Sequence, residues 1–439
     1  MIRFTKHLHL YLLIGLAVCL SACPALGTKV YTENLPSGEA IRTADLTLDA
    51  NIKTILLYRE TDQLSVPVTF MGSFDPLTLE FDELRSAESR ESDFFVDIQA
   101  CNEYWEPASM LPIQFYDGFT QDRIQQVQRS EFTKVEYVHY TYQFPQEGET
   151  FTKSGNYLLK VFREGDPNAV VLTRRFVVVE PLVGISLANE LSQNPRRRRM
   201  EALSLLVNPG TLNVFNPMMD LHINLVPNFR LDRTAELTPQ RMMENSLLCE
   251  VNLLRSFPFG HEFRSADIRS TRFLSAQIQD VEEREDIFDV YLFADAPWLS
   301  NRFGRQPDLN GNFMIEVQEW PHPSVQADYV YTYFSLPLSS PLSGQEVYIL
   351  GKCTDWAIST ANKMRWNETL SAYEGELLLK QGIYDYQYVT APTPSEQPSS
   401  IDFQGQLTDA ENQYYVLVYY RGPTDLNDRV VGFWAVNGS

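Results

Sequence analysis

The chain is poor in the side chains on which most metal and nucleophile chemistry depends. Histidine occurs 6 times and cysteine 5 times in 439 residues. Cys19 and Cys23 fall near the N-terminus, which leaves Cys101, Cys249 and Cys353 widely spread through the body. Structural zinc sites need ligands at short paired spacings, so these thiols exclude one. They read as buried free thiols, with a bridge between two of them as the alternative in an oxidising compartment. His139, His222, His261 and His322 each stand alone, without a His-x-x-x-His ligand spacing. A Gly-x-Ser-x-Gly elbow is absent, and no Gly-rich loop opens a helix to cradle phosphate. Positive charge is also scarce: 36 Lys and Arg face 57 Asp and Glu, a net charge of -21. A surface of that sign repels nucleic acid. The residues therefore point to a non-catalytic protein, with no cofactor, no metal and no small-molecule substrate expected.

What is present begins at the N-terminus. Arg3 and Lys6 precede an apolar run from Leu10 to Leu20, and Leu20-Ser21-Ala22-Cys23 follows. A charged head, an apolar stretch and a small-residue cleavage site make a secretory signal. The run is shorter than the roughly 20 residues that cross a bilayer as a helix. The Leu-Ser-Ala-Cys ending resembles a bacterial lipoprotein signal, so residues 1–22 are expected to be removed and Cys23 lipidated. Ordinary cleavage after Gly27 is the alternative. One lipidated terminus would hold the protein at a membrane surface without spanning it.

The body is 44% hydrophobic and 12% aromatic, with 25 Pro and 21 Gly, a composition of strand formers and turn breakers. Runs such as Asp93-Phe94-Phe95-Val96-Asp97-Ile98 and Tyr137-Val138-His139-Tyr140-Thr141-Tyr142 are strand-like. The expected fold class is mostly β, as tandem immunoglobulin-like or early-set β-sandwiches with little helix. Residues 43–181 form a first sandwich that closes at Pro181. Residues 182–322 form a middle β-rich domain, and residues 323–439 form a C-terminal early-set sandwich. Gln240 to Cys249, capped by Thr238 and Pro239, is the best helical candidate.

Three local features invite a functional reading. Arg196-Arg197-Arg198-Arg199 reads as a solvated hairpin tip rather than an acidic-surface contact. Asp308-Leu309-Asn310-Gly311-Asn312 alternates oxygen ligands as a calcium loop does. An EF-hand would need glycine where Phe313 stands, and its Glu319 lies in strand-like sequence, so an Asn-Gly turn is the simpler account. Thr354-Asp355-Trp356, with the strands around it, resembles early-set domains that include glycogen-binding modules. Trp356 and Trp366 would be the stacking residues there, but core anchoring accounts for them as well.

Read together, several blocks resemble one family across roughly residues 43 to 436. The first stretch supplies Gln99-Ala100-Cys101-Asn102-Glu103-Tyr104-Trp105-Glu106-Pro107, Tyr137-Val138-His139-Tyr140 and Ser154-Gly155-Asn156-Tyr157. Gly260 to Ser270, Asp308-Leu309-Asn310-Gly311, Thr354-Asp355-Trp356 and Lys380 to Tyr388 follow. The tail gives Val418-Tyr419-Tyr420-Arg421 and Asp428-Arg429-Val430-Val431-Gly432. These resemble the plug protein of the bacterial type IX secretion system. The resemblance implies a periplasmic protein that closes the periplasmic opening of the outer-membrane translocon β-barrel when no cargo passes. Its recognisable blocks look like fold-defining turns and strands, so no partner-binding residue is assigned. A glycan-binding outer-membrane lipoprotein is the competing expectation, and a hydrolase with unrecognised carboxylates is the weakest.

Overall fold

The computed structural model describes residues 44–85, 90–164, 166–188, 202–257, 263–296, 308–392 and 412–437, and the backbone of 28–32. Cys23, Arg196–Arg199 and His261 lie outside the described residues. The protein is mostly β, with 52% strand and 5% helix. Almost all strand pairs are antiparallel, and the sheets stack in three units.

In the first unit, strands Ile52–Arg59, Leu77–Leu84, Tyr137–Phe144 and Gln126–Arg129 form one sheet. It packs on a second sheet built from Leu46–Thr47, Val170–Val179, Gly155–Arg163, Phe94–Cys101 and Gln121–Arg123. Their shared core runs through Leu79, Phe81, Phe94, Tyr140, Tyr157 and Phe176. Alternation explains the inward faces, but several runs are apolar at every position. Such runs mark strands covered on both sides. In Ile52–Arg59, Ile55 and Leu57 enter the first core while Leu56 and Tyr58 enter that of the third unit. Alternation divides the strand between the two cores, and a register irregularity between Lys53 and Leu56, with Thr54 at φ 52, brings Ile52 to the same face as Ile55.

Strand pairing regroups the rest of the chain. Leu221–Pro227 pairs with Arg233–Leu237 on one side and with Gln413–Tyr420 on the other. Arg429–Asn437 extends the same sheet, and Thr28–Thr32 closes its opposite edge. This sheet shares a core with Gly184–Leu187, Ala202–Asn208, Ser246–Asn252 and Arg241–Met243. The last two strands therefore complete the middle unit, whereas the expected spans assigned them to the C-terminal sandwich. The third unit's strands run from Arg264 to Pro392, between the two halves of the middle one. Periodicity locates strands but does not name their partners, and Tyr414 to Tyr420 needed a sheet covered on both faces.

The expected helix at Gln240–Cys249 is corrected to a hairpin. Met243 pairs with Ser246 and Arg241 with Leu248, and Glu244 turns the chain at φ 55. Leu247, Cys249 and Val251 enter the middle core at a spacing of two residues. Sheet pairing prevails over the local helical spacing.

Candidate functional site

A buried polar cluster lies where the first and third units meet. Asp82 is the centre of the junction between the first and third units. Its Oδ2 accepts hydrogen bonds from Lys380 Nζ at 2.7 Å and from Tyr329 Oη at 2.7 Å. Its Oδ1 lies 2.7 Å from His139 Nδ1. The side chains of Asp82 and Lys380 are each only 1% exposed. Lys380 also donates to Ser324 O at 2.6 Å and lies 4.1 Å from the Tyr137 ring centroid. Tyr137 in turn donates to Ala327 O at 2.8 Å, so the first unit is bonded back to the third. Asp82 projects from the sheet face opposite Leu79 and Phe81; the third unit covers that face and removes it from water.

Burial opposes ionisation of Asp82 most strongly, but Lys380 and His139 together outweigh it and hold its carboxyl below the ordinary range. Burial likewise works against a charged His139, yet hydrogen bonds to Asp82 and Glu80 raise it above the usual imidazole value. Lys380 is lowered, because desolvation exceeds the attraction of Asp82. A buried pair of this kind is costly to assemble and more costly to halve.

A pocket of about 180 Å³ adjoins the cluster and is lined by Thr54, Gln63, Glu80, His139, Ser324 and Lys380 among others. Small-molecule sites are commonly about 300–1,000 Å³. The His139–Asp82 pair orients an imidazole, but its other nitrogen meets Thr141 Oγ1 at 3.3 Å and Glu80 at 3.7 Å. The arrangement can fix charge and hold two units in register.

The first and middle units meet differently. Val68, Cys101, Leu158, Val177 and Val179 pack against Val226, Tyr415, Leu417, Tyr419 and Val430 in one apolar cluster. Hydrogen bonds mark its edge. Tyr419 Oη donates to Asn156 Oδ1 at 3.1 Å, Asn427 Nδ2 to Cys101 O at 2.8 Å, and Glu103 N to Asp428 Oδ2 at 3.0 Å. His222 lies 2.6 Å from buried Glu103, and that hydrogen bond raises its pKa. At the meeting of all three units, Asp355 accepts from Arg174 at 2.8 Å and Thr47 at 2.6 Å. Arg230 of the middle unit covers the Trp356 ring at 4.0 Å.

The residues singled out from sequence fall into place around these contacts. His139 is a buried junction residue, and His222 joins the first and middle units. His322 N donates to Gln326 Oε1 at 3.0 Å beside the short helix Pro323–Gln326. Trp356 lies between Arg230 and Phe263, and Trp366 packs on Tyr373, so both act as anchors. Cys101, Cys249 and Cys353 are free thiols, each pushed up to about 12 chiefly by burial. The Asn310-Gly311 turn has φ of 55 and 80, and Asp385 Oδ2 accepts from Leu309 N and Gly311 N. Burial and neighbouring Asp308 push Asp385 up to about 7. Among the described residues no group of three or more His, Cys, Asp or Glu is placed to hold a metal. Sequence reasoning missed Asp82, Lys380, Glu103 and Asp428. Glu103, Lys380 and Asp428 lie in blocks that carried the family resemblance, and Lys380 also ends the apolar run Leu377-Leu378-Leu379.

Residues 52–180 match the family described as type 9 secretion system plug protein, first domain. That segment belongs to this plug family. It spans the first unit from Ile52 to Glu180, including Asp82, Glu103 and His139. No curated relative matches the chain. Among solved structures, a hypothetical protein from Parabacteroides merdae is similar at TM-score 0.80 and 26% identity, covering 90% of this chain and 99% of its own. An alpha-2-macroglobulin mutant from Salmonella and a pilus backbone from Streptococcus pneumoniae align only at TM-score 0.14, with 10% and 9% identity. They cover 88% and 89% of this chain, and 25% and 94% of their own lengths. At that score they carry no argument about the fold.

Proposed function

We propose that this protein is a non-catalytic periplasmic plug that closes the periplasmic opening of the type IX secretion translocon barrel when no cargo is in transit. The plug-family match over residues 52–180 carries the reading. The joined units agree with it, because a stopper needs a broad folded surface more than a pocket. In this reading residues 1–22 are removed on export and Cys23 receives the lipid. The protein then sits on the periplasmic face of the outer membrane beside its pore.

Affinity purification of the full chain from its host membranes tests the proposal. Recovery of a very large outer-membrane β-barrel is expected, and its absence in every secretion state sinks the plug role. Deleting the protein should make the outer membrane leaky only where the translocon is present. Radiolabelled fatty acid should enter the wild type but not Cys23→Ala; equal labelling of both refutes the anchor.

A further inference from the structure

Residues 111–119 of the first unit form an exposed apolar segment, here the tip. Leu111 is 65% exposed, Ile113 84% and Phe119 79%, all within nine residues of chain. Large apolar side chains grouped in this way mark interaction sites. The loop is held from below. Leu111 N donates to Gln114 Oε1 at 2.8 Å, and Phe119 N donates to Glu149 Oε1 at 3.0 Å. Tyr116 Oη donates to Glu149 Oε2 at 2.8 Å, while Phe115 and Tyr116 enter the core. Thr150 and Phe151 pair with Asp117 and Tyr116. Gly118 has φ 150, and a Cβ there would come within 2.6 Å of the Glu149 side chain. The tip is therefore fixed before any partner arrives, which reduces the ordering cost of binding.

Charge chooses the partner. Segments 111–119 and 145–153 carry Asp117, Glu147 and Glu149 against Lys153 alone. Segments that insert into anionic lipid surfaces are instead rich in Lys and Arg. A second copy of the chain would bring another strongly acidic surface, with its net charge of -21. We propose that Leu111, Ile113 and Phe119 form a protein-docking tip that enters an apolar groove rimmed by Lys and Arg on the translocon barrel. This rests on the plug reading and names the surface that reading lacks.

Two measurements on the full chain in its host separate the ideas. A benzoylphenylalanine photocrosslinker replaces Ile113, or Phe215 of the middle unit as a control that is 101% exposed. In parallel, wild type and the double variant Ile113→Asp/Phe119→Asp are affinity purified. The expected result is a barrel adduct at position 113 and none at 215, with recovered barrel reduced at least about tenfold in the double variant. Full barrel recovery by the double variant, or equal adducts at both positions, overturns the tip while leaving the plug role intact. Adducts to lipid or to a second copy overturn it as well. If wild type recovers no barrel, the plug role fails and the docking tip fails with it.

Discussion

The first unit is joined to its two neighbours by seams of opposite character. Against the middle unit it presents Val68, Leu158, Val177 and Val179, an apolar face met by Leu417, Tyr419 and Val430. Against the third unit it sets apolar Leu56 and Tyr58 and a buried polar cluster in which its Asp82 and His139 meet Lys380 and Tyr329. Apolar burial is favourable and non-directional, so it gives adhesion that tolerates small displacements. A desolvated ion pair gives little net adhesion but penalises every arrangement that parts its charges. The first seam supplies adhesion, and the second sets one relative placement.

The contrast can be broken most sharply at Lys380. Lys380→Met leaves Asp82 buried without its cation and should lower unfolding free energy by about 3–5 kcal/mol. Chemical denaturation measures this, and a loss below about 1 kcal/mol would show the pair to be dispensable. In the apolar seam, Leu417→Ala should cost about 2–5 kcal/mol, with no dependence on salt. Tyr419→Phe removes only the hydroxyl and leaves Asn156 Oδ1 unsatisfied, for about 1–3 kcal/mol.

The smallest effect is a pH dependence. His139 and His222 are raised above 6.5 in the folded protein by hydrogen bonds to carboxylates. Their contribution is fully present below about pH 6.5 and is lost as pH rises through the higher folded values. Thermal midpoints should therefore fall as pH rises above about 6.5, and the fall should flatten in His139→Gln/His222→Gln. An unchanged slope in the double variant would assign the effect elsewhere. Asp82 works in the opposite direction: its contribution is present above 3.8 and is lost as pH falls through its lower folded value.

How much of this was legible in sequence differs between strands and joints. Asp93 to Ile98 and Tyr137 to Tyr142 announced themselves by alternation or β-branched and aromatic content, and they fall on the strands Phe94–Cys101 and Tyr137–Phe144. The blocks that carried the family resemblance read as turns and strands. In space many of them are inter-unit contacts: Glu103 meets Asp428 and His222, and Asp355 meets Arg174. Asp82 drew no functional reading, because a strand's own pattern cannot reveal what covers its other face. The Gln240–Cys249 hairpin was hidden for a related reason, since its short strands take their spacing from the sheet beside them.

Thr28–Thr32, at the edge of the middle sheet, would set the length of any leash that begins at Cys23. It pairs with Arg233–Leu237 along its whole length, beginning with Thr28 opposite Leu237. Cys23 precedes it by five residues, and five residues reach at most about 18 Å. A lipid on Cys23 would thus keep the middle unit within about that distance of the bilayer. A plug so tethered would leave its pore by swinging aside, and its return would not depend on diffusion through the periplasm.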